Sequence, residues 1–276
     1  MKYPLFLSDF DGTLVRRDGT ISEKNIRAIA AYRAAGGVFA VCTGRALSSI
    51  LPRLAELGLK EGLVVAYQGA TVADIATGAL LKNEGFSREG AVRAARLLEE
   101  DGRHVHIYTV DAFYSNREDE ALRLYEKICG IRANVVKEMP LSELIVKKDL
   151  RVVKALAMVE KAERAPLTAY LSARLGEEYF VTASADFLVE VMPAGQNKAS
   201  AVDFLSAYYH IPRERCAAIG DQLNDLPMLR RAGGRFAVAN AEEALRREAR
   251  VVSSVEEDGV AEALGCAMQE EAQQEE

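Results

Sequence analysis

Cysteine is scarce in this 276-residue chain, and the four present, Cys42, Cys129, Cys216 and Cys266, stand far apart. No C-x-x-C pair occurs, which argues against a zinc site. Cys42 and Cys216 fall in or beside apolar segments, where a thiol behaves as a small hydrophobe, so free thiols in a reducing cytoplasm are expected. Positive charge is not in excess either. The chain carries 35 Lys and Arg against 41 Asp and Glu, a net charge of −6. That balance counts against a nucleic-acid partner, a local basic patch aside. No apolar run approaches the ~20 residues that span a bilayer, so no membrane partner is expected. Met1-Lys2-Tyr3-Pro4 enters an apolar run at once, which leaves no room for a signal peptide and points to a cytoplasmic protein.

What is present is an ordinary globular composition, 49% hydrophobic and 28% charged, long enough for one large domain or two. Its organising stretch is Leu5-Phe6-Leu7-Ser8-Asp9-Phe10-Asp11-Gly12-Thr13. Leu5 to Leu7 reads as a strand buried on both faces of a parallel sheet. Polar residues at the carboxyl end of such a strand sit where open α/β sheets bind ligands. Side chains two apart on a strand project to one side, so Asp9 and Asp11 can address one site while Phe10 points away. Two carboxylates this close repel unless a cation or a shared proton separates them, and a hard, oxygen-seeking ion such as Mg2+ meets that need. An acidic turn after a strand is the plainer reading. Asp-x-Asp-Gly-Thr, however, should arise by chance only roughly a few times per thousand chains of this length.

The chain then alternates strand and helix. Thr20 and Glu23 fit a capping box, with Ser22 as a competing cap, and the helix ends at Gly36-Gly37. Residues 38–42 form a second buried strand that meets Thr43-Gly44-Arg45 and a helical segment to Leu57, with Pro52 implying a late start or a kink. A hydroxyl and a glycine between strand end and helix start suit an anion, though a plain helix cap explains them equally well. Residues 63–67 are a third strand, followed by Gln68-Gly69-Ala70 and a small hairpin over 72–75 and 79–81. From about Asn83 the alternation breaks. Helices over 87–100 (Ala91, Ala94, Ala95 and Leu98 on one face), 118–128 (Leu122, Leu124, Ile128) and 164–175 mix with strands over 105–110, 113–115, 151–159, 179–182 and 187–192. This pattern predicts an α+β insertion. The α/β pattern resumes with Lys198 and a helix to Tyr208, then a strand over 216–219 that ends in Gly220-Asp221-Gln222-Leu223-Asn224-Asp225. A short helix through Met228 and Leu229, a strand over 236–239, a helix over 241–249, a short strand at 251–252 and a helix over 260–264 complete it. The acidic tail 269–276 is expected to fray. The fold class is therefore α/β: a Rossmann-like, doubly wound parallel sheet (1–82 and 191–276) with an inserted α+β cap (83–190).

Three buried strands thus end in polar clusters: Asp9 with Asp11, Thr43-Gly44, and Gly220-Asp221 with Asn224 and Asp225. In a parallel sheet these ends share one edge, where Lys198 could join them. The set fits phosphoryl transfer, in which a carboxylate attacks phosphorus, Mg2+ and a lysine offset the anionic repulsion, and a second carboxyl moves a proton. Taken singly, Asp221 could cap a helix, Asp225 could be a surface acid and Lys198 a solvated helix-start lysine.

These motifs resemble the haloacid dehalogenase superfamily, and within it the Cof-like phosphatases with a large C2-type cap. Asp9-Phe10-Asp11-Gly12-Thr13, Cys42-Thr43-Gly44-Arg45, Lys198 and Gly220 to Met228 are similar to its four motifs in order. Ala239-Asn240-Ala241 and Glu257-Asp258-Gly259-Val260 also resemble stretches near the end of such proteins. The resemblance implies Asp9 as nucleophile and Mg2+ ligand, and Asp11 as acid/base with its backbone carbonyl on the metal. It implies Asp221 as the third ligand, with Asp225 close behind holding a metal-bound water. Thr43, Gly44, Lys198 and Asn224 would hold the substrate phosphate. Gln68 stands where the family usually has Asn, and Gln196-Asn197 where it has a small or β-branched pair. The expectation is a Mg2+-dependent phosphatase acting on a small phosphorylated metabolite, a sugar phosphate or a phosphorylated cofactor. A phosphomutase with the same apparatus and a non-catalytic binding protein with a vestigial site are the rivals. Arg117, Lys147, Lys148, Arg151 and Glu190 are the cap's candidate substrate contacts.

Overall fold

Strand β1 (Leu5–Ser8) is buried along its whole length and lies at the centre of an eight-stranded sheet. The computed structural model describes residues 1–269. After β1 come α1 (Glu23–Ala34), β2 (Val38–Cys42), α2 (Leu47–Glu56), β3 (Leu63–Ala66), β4 (Thr71–Asp74) and β5 (Leu80–Asn83). Next are α3 (Arg88–Glu99), β6 (His104–Tyr108), β7 (Phe113–Ser115), α4 (Glu120–Cys129), β8 (Ala133–Val135) and α5 (Leu141–Lys147). They are followed by β9 (Lys154–Met158), α6 (Lys161–Leu175), β10 (Tyr179–Ala185) and β11 (Leu188–Pro193). The chain then returns through α7 (Lys198–Tyr208), β12 (Cys216–Gly220), α8 (Leu226–Arg231), β13 (Gly234–Val238), α9 (Glu243–Arg246), β14 (Arg250–Val252) and α10 (Gly259–Met268).

The large sheet runs β14-β13-β12-β1-β2-β3-β4-β5, parallel from β14 to β3, with the β4–β5 hairpin added antiparallel at its edge. A strand with helices on both faces must be apolar throughout, which is why Leu5 to Leu7 and Cys216 to Ile219 carry no alternation. The second sheet, β10-β11-β9-β6-β7-β8, belongs to the inserted α+β cap. Its strands do alternate. Val105, Ile107, Ala155, Ala157, Val189 and Val191 face the helices of the insertion in a core of their own. Tyr108, Leu156 and Leu188 turn the other way and join the main core of the parallel sheet. The face with Lys154, Leu156, Leu188 and Glu190 therefore looks at the carboxyl edge of β1 and β2.

Several local details differ from the sequence expectation. Ser22, not Thr20, caps α1: its side chain accepts from the Asn25 N–H at 3.0 Å, while Thr20 turns to Asp18. Pro52 sits inside α2, which starts at Leu47. The helix expected over 164–175 begins at Lys161, where Glu160 and Glu163 form a capping box. The one expected over 241–249 spans only Glu243–Arg246. Helix α4 buries Leu122 and Tyr125, leaving Leu124 and Ile128 exposed. Strand β8 and helix α5 escaped the sequence reading because three and seven residues give too little periodicity. Of the acidic tail, 270–276 lie outside the described residues, and the Gln269 carbonyl accepts from the Lys2 N–H at 3.2 Å.

The chain enters and leaves the insertion at one place. Lys82 Nζ donates to Gln196 Oε1 at 2.8 Å and to the Gly69 carbonyl at 3.0 Å, and the Gln196 amide donates to Glu84. Beneath this tie, Tyr67, Gln68 and Gly69 all have positive φ, at 50°, 59° and 107°. A Cβ on Gly69 would lie 2.4 Å from the Asn197 carbonyl oxygen. Gly69→Ala should cost at least about 1–3 kcal/mol through backbone strain alone, read as a lowered urea midpoint. An unchanged midpoint would show that this turn relaxes freely.

Candidate active site

Strands β12, β1 and β2 are neighbours, so their carboxyl ends lie side by side and bring together residues far apart in sequence. Asp9 follows β1, Thr43 and Gly44 follow β2, and Asp221, Asn224 and Asp225 follow β12. Lys198, the first residue of α7, is fully buried among them. Asn197 caps that helix by accepting from the Ala199 N–H at 2.9 Å, which fixes where Lys198 starts. Lys198 Nζ lies 2.5 Å from Asp9 Oδ1 and 2.5 Å from Asp225 Oδ1. Asp225 Oδ2 accepts from the backbone N–H groups of Asp221 and Gln222 at 2.9 and 3.0 Å, so this side chain is anchored at both oxygens. Asp221 Oδ1 accepts from Thr13 Oγ1 at 2.9 Å. Asp221 and Asp225 are thus buried members of one cluster, and Lys198 is not a surface lysine.

Oxygens of Asp9, Asp221 and Asp225 lie within 4.8 Å of one another. Three carboxylates against one ammonium leave uncompensated negative charge in a buried site. Burial, then the Asp225 carboxylate, raises the Asp9 pKa well above the ordinary range, and the same two causes push Asp221 up to about 7. Burial alone would favour neutral Lys198, but Asp225 and Asp9 outweigh it and hold the ammonium charged. The all-oxygen donor set suits a hard divalent cation. Gly12 adds a cradle: its φ is +80°, and a Cβ there would lie 2.5 Å from Asp221 Oδ2.

Asp11 takes a different place. Its carboxylate is half-exposed and held bidentate by Arg45, Nε to Oδ2 at 2.7 Å and Nη2 to Oδ1 at 2.6 Å. Arg45 Nη1 reaches across to the Ile128 carbonyl at 3.0 Å, at the end of α4 in the insertion. Thr43 Oγ1 accepts from the Arg45 N–H at 3.1 Å, while α2 starts only at Leu47 with Ala46 as its cap residue. Thr43 therefore does not cap that helix.

A buried polar chain links the two sheets. Asn224 Nδ2 donates to Gln68 Oε1 at 3.0 Å, and Gln68 Nε2 donates to Glu190 Oε2 at 2.6 Å. Lys154 Nζ donates to Glu190 Oε1 and to the Gly44 carbonyl, both at 2.8 Å. Gly44 is required here, since a Cβ would lie 2.5 Å from Gln68 Nε2. Above this floor is a cavity of about 250 Å³, reached by Asp9, Asp11, Thr43, Gly44 and Asn224 and roofed by the insertion. Of the cap residues proposed from sequence, Glu190 lines it. Arg117, Lys147, Lys148 and Arg151 are exposed and do not. Arg45, Gln68 and Lys154 were not among the expected site residues. Arg45 carried a signal as the third member of Thr43-Gly44-Arg45, and Gln68 as the residue that stands where the family usually has Asn; Lys154 carried none.

Residues 6–264 match the haloacid dehalogenase-like hydrolase family, and the chain belongs to it. It is an enzyme of the phosphoric monoester hydrolase class. The HMP-PP phosphatase of Yersinia pestis (strain Pestoides F) is 28% identical over 264 residues, covering 94% of this chain and 93% of that protein. A haloacid dehalogenase-like hydrolase from B. subtilis shares the fold with a TM-score of 0.85 at 23% identity, covering 96% of this chain and 99% of that one. The HAD subclass IIB sugar phosphatase BT4131 superposes with a TM-score of 0.81 at 20% identity, covering 95% and 98%. No helix among the described residues is long and apolar enough to cross a membrane.

Proposed function

We propose that the chain is a Mg2+-dependent, cytoplasmic phosphatase that hydrolyses a small phosphomonoester through a phosphoryl group carried on Asp9. Residues 1–82 and 191–276, the last seven lying outside the described residues, make up its hydrolase-core stretches and 83–190 the cap. The observation that carries this reading is the cluster of Asp9, Asp221 and Asp225 around Lys198 at the carboxyl edge of the parallel sheet. Asp9 and Asp221, with the Asp11 backbone carbonyl, would hold Mg2+, and Asp225 stands behind them. When bound, the ion supplies positive charge against the crowded carboxylates and the phosphate.

Asp9 attacks phosphorus, the bond to the leaving oxygen breaks, and Asp11 gives that oxygen a proton. Asp11 does so after turning from Arg45. A water then attacks the phosphoryl group, Asp11 takes its proton, and inorganic phosphate leaves Asp9 free. Thr43, Gly44, Lys198 and Asn224 hold the phosphate oxygens through both steps. Lys198 also keeps Asp9 oriented. The cap excludes bulk water.

Phosphate release from an aryl phosphate should stop in excess chelator and return with Mg2+. Ca2+, which prefers more ligands and longer bonds, should restore it poorly. Full turnover in chelator would remove the metal from the reading.

A further inference from the structure

We propose that the cap selects phosphomonoesters whose leaving group is a compact, flat, largely apolar ring that is neutral or cationic, and excludes polyols and groups bearing a second anion. This deepens the phosphatase reading and rests on it. The cavity beyond the phosphate corner is small, about 250 Å³ in all. Its walls on the cap side are mostly apolar, including Tyr108, Tyr125, Ile128, Ile131, Phe187 and Leu188, with the Ser184 hydroxyl, Lys154 and Glu190 as the polar points among them. Of the two tyrosines, Tyr108 has spent its hydroxyl hydrogen, donating to Tyr125 at 2.6 Å. A sugar carries a hydroxyl on nearly every carbon, more than the few polar points of these walls can pair, so most would be stripped of water without a partner. A ring with apolar faces loses nothing there.

Charge narrows the choice further. Two cations line the cavity, Arg45 and Lys154, and both are committed. Arg45 holds Asp11 with two donors and reaches the Ile128 carbonyl and the Ser49 hydroxyl with a third. Lys154 gives one hydrogen to Glu190 and one to the Gly44 carbonyl, and it lies 4.8 Å from the Tyr108 ring centre. Each of these cations already faces a carboxylate, Arg45 facing Asp11 and Lys154 facing Glu190, so a carboxylate or second phosphate on an entering leaving group competes with an anion in place. Glu190 is different. Each of its oxygens accepts one hydrogen bond, from Lys154 and from Gln68, and each retains a further acceptor site. A hydroxyl, amine or ring N–H on the leaving group can meet it. Gln68 fixes the direction of that carboxylate, because its amide must present hydrogen to Glu190 and oxygen to Asn224.

The test is phosphate release from matched esters: phenyl phosphate, 4-(aminomethyl)phenyl phosphate, 4-carboxyphenyl phosphate, glucose 6-phosphate and fructose 1,6-bisphosphate. The first two should exceed the last three in kcat/KM by at least tenfold, even though the carboxylated phenol is the better leaving group. Glu190→Gln is near-isosteric and leaves Lys154 without its counter-ion. It should therefore invert the charge preference, lowering kcat/KM for the aminomethyl ester and raising it for the carboxyl ester. A purely structural role for Glu190 would lower both alike. Should that variant not fold, Phe187→Ala, at a partly exposed wall position, should narrow the lead of the ring esters over glucose 6-phosphate in kcat/KM, and an undiminished lead would overturn the inference. Preference for glucose 6-phosphate or the bisphosphate, with turnover still dependent on Asp9, would overturn the inference and leave the phosphatase reading standing. No phosphate release from any ester, with Mg2+ present, would overturn both.

Discussion

Asp9→Asn should lower phosphate release from an aryl phosphate by about 10³-fold or more, with the far-UV circular dichroism unchanged. An amide is a poor nucleophile and a weaker ligand for a hard cation, yet it has the shape of the carboxylate it replaces. Asp9 Oδ1 sits 2.5 Å from Lys198, and an amide oxygen can accept that same hydrogen bond, so the fold should hold. Removing a nucleophile commonly costs as much as dismantling the whole catalytic group around it, which sets the expected size. Loss of less than tenfold would take Asp9 out of the nucleophile role.

Lys198→Met should have the largest effect on stability. The ammonium is fully buried and is the cation held between Asp9 and Asp225. Breaking a buried pair from one side strands the other charges, typically at about 3–5 kcal/mol. The loss should depend on pH. In the parent protein Asp9 is already raised well above the unfolded carboxylate value of 3.8, and Asp221 is raised to about 7. A carboxyl whose folded pKa exceeds its unfolded one binds more protons when folded. Stability therefore falls as pH rises from the unfolded value through the folded one. Without Lys198 the raised carboxyls should move further up. The variant should be weakest near pH 8 and recover toward pH 5. Urea unfolding of the metal-free proteins at both values checks this. Adding Mg2+ at pH 8 should recover part of the loss, since a cation binds the ionised carboxylates of the folded state. An equal loss at both pH values would show that Lys198 matters for packing and not for charge.

Asp9, Thr43 and Asp221 were legible because each follows a short, uninterrupted apolar run. A parallel sheet has only one place to put the ends of such strands. The insertion was legible for a different reason: beyond Asn83 the strict strand-then-helix order gives way to strands mixed with helices, the pattern of an α+β unit. Lys198 needed the other motifs beside it, because a lone lysine at a helix start has no local mark of burial. Gln68, Lys154 and Glu190 could not be joined by inspection. Gln68 and Glu190 are 122 positions apart, and Lys154 and Glu190 are 36 apart on separate strands. What unites them is the docking of one sheet over another, and no periodicity in the chain encodes that. Arg45 was visible within its motif, but its hold on Asp11 depends on a rotamer that spacing does not specify.

The tie between Lys82, Gln196 and Glu84 also bears on the length of the insertion. Because the polypeptide departs and returns through a single doorway, the core's side of the junction is the same however many residues lie beyond it. Loop-closure entropy grows only as the logarithm of that number. A longer or shorter excursion would still have to keep the second tie between the sheets, in which Glu190 and Lys154 meet Gln68 and the Gly44 carbonyl. The same doorway marks where a graft would begin: one cut after Glu84 and one before Gln196 would separate the second sheet and its helices from the parallel sheet that carries Asp9.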